Sequence, residues 1–294
     1  MTARRVAISL KTSPQDVEWA VLDELWAMTG ELRLFDGIWM NDHLTDLEDD
    51  RSGPSLESFT VAATLAHHVP GHWIGHSVLS NTFRHPAILA KQAAVLDHAT
   101  GGRFILGLGA GWHEFEHRAF GIPLPPLKQR IDRLESAVGV LRALFSEAAA
   151  APPGVTRDDP FYPLHLATLE PGPVQPGGPP LYLGGQGQRG LTLAAREAQG
   201  WLVPGVNAND PSYLRTKRDD LLARLEGEGR DPDGFDFVAQ IHVRDDRPAA
   251  LATARSMVET GATHLMLGMR PALGVDELRR IVDDVARPLR EELG

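Results

Sequence analysis

The sequence predicts an α/β fold, specifically a (β/α)8 TIM barrel, on three observations. Short apolar stretches alternate with longer amphipathic ones, and each kind occurs eight times. Most of the short stretches are apolar along their whole length, as a parallel strand buried on both faces requires. The same alternation is compatible with an open doubly wound sheet, which is the alternative architecture.

The strands are placed at Arg5–Leu10, Phe35–Asn41, Trp73–Leu79, Arg103–Gly109, Pro180–Gly184, Gly200–Gly205, Asp236–Val243 and His264–Met269. The helices between and after them are placed at Pro14–Met28, Ser55–Val69, Pro86–Ala99, Leu127–Glu147, Gln188–Ala198, Pro211–Glu228, Ala249–Thr260 and Val275–Glu292. The fourth helix shows its buried face most clearly: Leu127, Ile131, Leu134, Val138, Leu141 and Phe145 recur at steps of three and four, with Arg130, Asp132, Arg133 and Glu135 between them. Ser13-Pro14 and Asp210-Pro211 each set a capping side chain before a proline at the first helical position.

Between Ala148 and Pro179 the rhythm stops. This stretch is rich in proline and glycine, which excludes a long helix. The alternation resumes beyond it, so it reads as an insertion after the fourth helix, lying over one rim of the barrel, and not as a linker. The whole chain, residues 1–294, is therefore read as a single domain with a pocket-covering segment at 148–179.

Composition limits the function. The 294 residues include no cysteine, which excludes disulfides, thiolate metal sites and cysteine nucleophiles. The formal net charge of −10 disfavours nucleic acid as a partner, because phosphate neutralisation needs a basic face. No apolar run approaches the roughly 20 residues that cross a bilayer, and Met1-Thr2-Ala3-Arg4-Arg5 leads only into a short apolar stretch that reads as the first strand. A cytoplasmic enzyme is the expectation.

In such a barrel, chemistry sits in the loops that follow the strands. After the second strand come Asn41, Asp42 and His43, a carboxylate and an imidazole together, able to act as base, electrophile or metal ligands. After the fourth comes Gly107-Leu108-Gly109-Ala110-Gly111-Trp112-His113-Glu114, whose alternate glycines allow another body close to the backbone. It is not a G-x-G-x-x-G fingerprint. After the fifth come Gly184, Gly185, Gln186 and Gly187, opening a helix. Bare amides at a helix start form an anion site, and a late strand of a barrel is where phosphate is commonly held. Among twelve histidines, His113 and His117 stand four apart and could hold a metal on one helix face, but no H-x-H on the first strand accompanies them.

Four ordered motifs carry a family resemblance: Asn41-Asp42-His43; Ser77-Val78-Leu79-Ser80-Asn81-Thr82-Phe83-Arg84-His85-Pro86; Gly102-Arg103-Phe104-Ile105-Leu106-Gly107-Leu108-Gly109-Ala110-Gly111-Trp112; and Pro180-Leu181-Tyr182-Leu183-Gly184-Gly185. Together they resemble the luciferase-like monooxygenase superfamily, and within it the branch that uses the deazaflavin coenzyme F420. The match is dense from about Asp36 to Val206. The resemblance implies that Asp42 and His43 lie near the reacting edge of an isoalloxazine-type ring, with His43 as the catalytic base on the substrate. It implies a strand-three bulge with a non-prolyl cis peptide at Ser77-Val78 backing the ring, Ala110 and Gly111 beside it, Gly184, Gly185, Gln186 and Gly187 on the cofactor phosphate, and a pocket-shaping role for 148–179. The sugar-phosphate dehydrogenases of that branch carry a glutamate acid where this chain has Trp112, so Glu114 becomes the candidate acid, and a sugar phosphate is not supported.

The implied function is hydride exchange between coenzyme F420 and a small organic substrate, in a homodimer. The alternatives are an FMNH2/O2 monooxygenase served by a separate flavin reductase, a flavin-binding barrel without turnover, and, from outside the family, a metal-dependent hydrolase.

Overall fold

The computed structural model describes residues 5–47 and 53–294. Residues 1–4, read above as the lead into the first strand, lie outside that description. Eight short strands form the barrel: β1 (Ala7–Lys11), β2 (Gly37–Met40), β3 (Trp73–His76), β5 (Phe104–Gly109), β8 (Leu181–Gly184), β9 (Gly200–Leu202), β10 (Asp236–His242) and β11 (His264–Gly268). All neighbours are parallel, and the pairing of β3 with β5 closes the sheet on itself. The open-sheet alternative is thereby excluded. A two-residue strand, β4 (Leu79–Ser80), follows β3 after a break at Ser77-Val78 and pairs with the far end of β5.

Alternation along each strand sorts side chains between two layers. Ile8 and Leu10 of β1 join the large core between barrel and helices. Trp39, Ile105, Tyr182, Leu202, Val238 and Met266, from six strands, form a separate cluster that fills the barrel interior. Glycine makes room where that filling is tightest: a methyl group on Gly75 would lie 2.6 Å from the Trp39 ring.

The helices are α1 (Trp19–Leu32), α2 (Ser58–Leu65), α3 (Pro86–Thr100), α4 (Glu114–Ala119), α5 (Leu127–Leu144), α6 (Gln188–Glu197), α7 (Pro211–Gly227), α8 (Arg247–Thr260), α9 (Gly274–Ile281) and α10 (Arg287–Leu293). The Asp210-Pro211 start is as the sequence predicts, with the Asp210 carboxylate accepting the Tyr213 N–H at 3.0 Å. The Ser13-Pro14 start is not. Asp16 takes a left-handed φ of 50° and Gln15 bridges to Ser55, so a helix cannot run through, and α1 begins at Trp19. The last predicted helix is broken by a π turn at Val282–Ala286. Pro288 has no N–H to give the carbonyl four residues back, which forces a shift of register there.

Residues 148–179 carry an antiparallel hairpin, β6 (Val155–Arg157) with β7 (Leu164–Ala167). Its connections run to the outer wall. The Asp159 carboxylate accepts from Ser136 of α5 and from the Phe161 and Tyr162 amides, Tyr162 meets the His85 ring edge-on, and Gln175 bonds Asp97 of α3. The hairpin braces α3 and α5 from outside and touches the mouth's surroundings at His85. No helix among the described residues is long and apolar enough to cross a membrane.

Candidate active site

Because every barrel strand points the same way, the ends of β2 and β8 open at one mouth, and with them His43 and the Gly184–Gly187 loop. Three features build this mouth.

The first is an apolar wall. The Ser77–Val78 peptide bond is cis, the non-prolyl bond that the motif implies. Val78 leans over strand ends that have no side chains: methyl groups on Gly109, Gly184 and Gly107 would lie 2.6, 3.2 and 3.7 Å from its methyls. Gly111 has φ of 79°, and a methyl on it would meet Thr82 Oγ1 at 2.5 Å and Ser80 Oγ at 2.7 Å, so glycine is required there twice over. Its carbonyl accepts from Arg130. Ala110 beside it is half-buried.

The second is the His43 cluster. His43 Nδ1 lies 2.9 Å from Glu116 Oε2, and Glu116 Oε1 accepts the Leu44 and Thr45 amides at 2.5 and 3.1 Å. Glu116 is 1% exposed. Burial alone would push its carboxyl up, but the His43 hydrogen bond and charge, with the two amides, hold it below the ordinary carboxylate range. An ionised carboxylate only accepts, so Nδ1 of His43 donates and Nε2 is left as the free basic nitrogen. Trp112 stands edge-on to the His43 ring at 5.7 Å between centroids and is itself exposed. His113 Nδ1 lies 3.1 Å from the same Glu116 oxygen.

Glu114 is an exposed residue at the start of α4, and the carboxylate that reaches His43 is Glu116. Two glutamates two residues apart on a helix face different sides, and only the placement of α4 decides which one turns inward. His113 and His117, four apart in the sequence, turn their rings to different partners. His117 Nδ1 bonds the His113 carbonyl and Nε2 bonds Thr82 Oγ1 at 2.7 Å. The metal-capable group among the described residues is instead His43, His113 and Glu116.

Asp42 is 4% exposed, and both its oxygens are engaged: Arg84 grips them in a two-pronged bond at 2.6 and 2.8 Å, and the Ser80 N–H donates at 2.7 Å. It ties the end of β2 to the β4–α3 loop and so fixes the position of its neighbour His43. Arg84 also reaches Glu57.

The third feature is the loop after β8. Gly185 has φ of 137°, a conformation open to glycine, and no side chain caps the N-terminus of α6, so the amides there remain bare. Lys217 Nζ donates to the Gln186 carbonyl at 2.9 Å, which brings a cation to the same loop. A methyl on Gly187 would meet nothing within 4 Å. Bare amides, a helix start and a lysine together suit an anionic group.

The chain belongs to the luciferase-like monooxygenase family, whose family model matches residues 26–284. Among its relatives, an F420-dependent glucose-6-phosphate dehydrogenase of Kineococcus radiotolerans is 30% identical over 230 residues, covering 77% of this chain and 65% of that one. A 5,10-methylenetetrahydromethanopterin reductase of Archaeoglobus fulgidus is 29% identical over 262 residues, covering 88% and 70%. The chain thus spans about two thirds of the length of these relatives. Among solved structures, a long-chain alkane monooxygenase superposes with a TM-score of 0.80 at 14% identity, covering 99% of this chain and 92% of that one, which establishes the shared barrel.

Proposed function

We propose that the protein is an F420-dependent oxidoreductase that exchanges a hydride between the cofactor and a small organic substrate. The observation that carries this reading is the meeting, at one mouth, of an apolar wall formed by Val78 over glycine strand ends, an imidazole nitrogen on His43 that Glu116 leaves unused and a loop suited to an anion at Gly184–Gly187. The residues fit the group. A flat ring needs a smooth apolar wall, and Val78, seated close over Gly109 and Gly184, supplies one. A phosphate-bearing tail needs donors, which the amides at the start of α6 and Lys217 supply. The name of the Kineococcus relative supports F420 as the cofactor.

When bound, F420 supplies a two-electron hydride carrier. The chain's residues do the rest. Glu116 holds His43 by Nδ1, so Nε2 takes a proton from a substrate hydroxyl in oxidation and returns it to a carbonyl in reduction. Trp112 shields one side of the imidazole. Asp42, pinned by Arg84, sets the strand end from which His43 projects. Glu116 takes the place of Glu114 as the carboxylate in this reading, as a positioning group for His43.

The family description supports a second reading, an FMN-dependent monooxygenase supplied by a separate reductase. A fluorescence titration separates the two. F420 is expected to saturate one site per chain and to bind at least tenfold more tightly than FMN; the reverse order moves the protein to the second reading. Failure of both to bind, with stoichiometric zinc on the purified protein, would refute both and point to the His43, His113 and Glu116 group as a metal centre. We read the working assembly as a homodimer in the cytoplasm, on the strength of the family resemblance. Sedimentation at the mass of one 32.0 kDa chain would overturn the dimer.

A further inference from the structure

Lys11 ends β1 and is 5% exposed, inside the barrel at its catalytic end. It shares the inward face of β1 with Ser9, whose hydroxyl meets His264 at 2.6 Å, while Ile8 and Leu10, alternating with them, join the outer core. The Lys11 amine donates to Gln240 Oε1 at 3.0 Å, and Gln240 Nε2 lies 2.6 Å from His242 Nε2. Lys11 and His242 stand at one level, both in register with Gly268, which has no side chain to set between them. No ion pair involves Lys11 among the described residues.

The order of strands around the barrel gives this trio its meaning. β5 and β8, whose glycines Val78 covers, lie opposite β11 and β1. The mouth therefore has an apolar wall on one side and a buried polar wall, Lys11 with Gln240 and His242, on the other. Beneath both lies the apolar plug that includes Trp39 and Met266. An amine so placed has hydrogen-bond capacity left over, since Gln240 uses one donor.

We propose that Lys11 is a cofactor-binding residue whose amine meets the electron-rich pyrimidine edge of the bound ring, with Gln240 and His242 holding it in place. The inference rests on the ring-binding reading above and adds the group that recognises the ring's polar edge. A positive charge near that edge is one of the means by which a protein tunes such a ring.

Burial lowers the Lys11 pKa to about 7, so in the free protein at pH 8 the amine is mostly neutral. An electron-rich partner favours the charged form, so binding at pH 8 takes up a proton. The titratable groups on the packed elements are accounted for. His242 is lowered to about 4 by burial and by the charges of Lys11 and Arg244, and stays neutral. His264 on β11 is bonded to Ser9. Beyond β2, Asp42 is bound to Arg84 and His43 to Glu116.

The test is calorimetry of F420 binding to the intact protein at pH 8 in two buffers of different ionisation enthalpy. The wild type is expected to take up close to one proton per chain, and uptake should vanish by pH 5.5, where Lys11 already carries its proton. Lys11→Met, with folding checked by circular dichroism, should lose most of that uptake and bind F420 at least tenfold more weakly at pH 6.5. Equal uptake and affinity in the two proteins would overturn the role of Lys11 while leaving ring binding intact. If the variant does not fold, the wild type still decides, because absence of uptake at pH 8 refutes the proposal. A wild type that binds neither F420 nor FMN overturns this inference and the ring reading together.

Discussion

Replacing Glu116 by glutamine removes a charge and leaves a side chain of the same shape. In the wild type, Glu116 accepts three N–H groups, from His43 Nδ1 and the Leu44 and Thr45 amides, in a position 1% exposed. The glutamine oxygen can keep the two amides. Its NH2 then faces His43 Nδ1, two donors opposed, and the imidazole must move its proton to Nε2 to relieve this. A hydrogen bond to a charged group contributes about 1.5–3 kcal/mol. Lost from the reacting arrangement, that corresponds to a fall in kcat of roughly 10- to 150-fold, and lost from the fold of a 294-residue chain it lowers Tm by roughly 2–5 °C. The tautomer is measurable without knowing the substrate. Nitrogen-15 shifts of the neutral His43 imidazole should report Nδ1–H in the wild type and Nε2–H in Glu116→Gln. The pH dependence has a definite sign. The folded pKa of Glu116 lies below its ordinary 4.5, so its contribution is complete above 4.5 and is lost as pH falls through the lower folded value. An Nε2–H imidazole in the wild type, or a spectrum unchanged by the substitution, would refute the reasoning.

Other perturbations follow from the same geometry. Arg84→Ala strips Asp42 of both guanidinium bonds and leaves a buried carboxylate with the Ser80 amide alone, so urea unfolding should show a loss of about 3–5 kcal/mol. Gly107→Ala would set a methyl 1.7 Å from the His76 carbonyl oxygen, a backbone atom, and should destabilise by about 3 kcal/mol or more, whereas Gly187→Ala meets nothing within 4 Å and should leave Tm unchanged. Lys11→Met should stabilise the free protein at pH 7 by roughly 3–5 kcal/mol, because the unfolded chain binds a proton between about 7 and 10.5 that the folded one does not. Over that interval the wild type should gain stability with rising pH and the variant should not; parallel curves would contradict the burial of a neutral amine.

The barrel was legible in the sequence because parallel strands buried on both faces leave uniformly apolar stretches, and all eight were located. Edges were harder. Ending the first strand at Leu10 left Lys11 outside it, since a charged residue after an apolar run reads as an exit to solvent. In the structure, the same residue is the last of β1 and points inward, where Gln240 accepts one hydrogen bond from it. Ser13-Pro14 looked like a helix start because local capping chemistry does not reveal the left-handed turn at Asp16 or the bridge from Gln15 to Ser55. His43 stood out by its company at a strand end, but its carboxylate partner lies 73 residues away. Glu114 and Glu116 are chemically equal in the sequence, and only the packing of α4 against the mouth distinguishes them. Asp42 was matched to the ring's edge by the family motif, but its partner Arg84 was not legible, since it comes from a different loop that only the fold brings close.

The most direct test of the account is a crystal structure of the protein with F420 bound. The account predicts the ring in the barrel mouth against Ser77-Val78, His43 Nε2 facing its reacting edge, and the phosphate on the amides between Gln186 and Gln188. A ring bound elsewhere, or one in the mouth whose tail leaves by a route away from the Gly184–Gly187 loop, would contradict it.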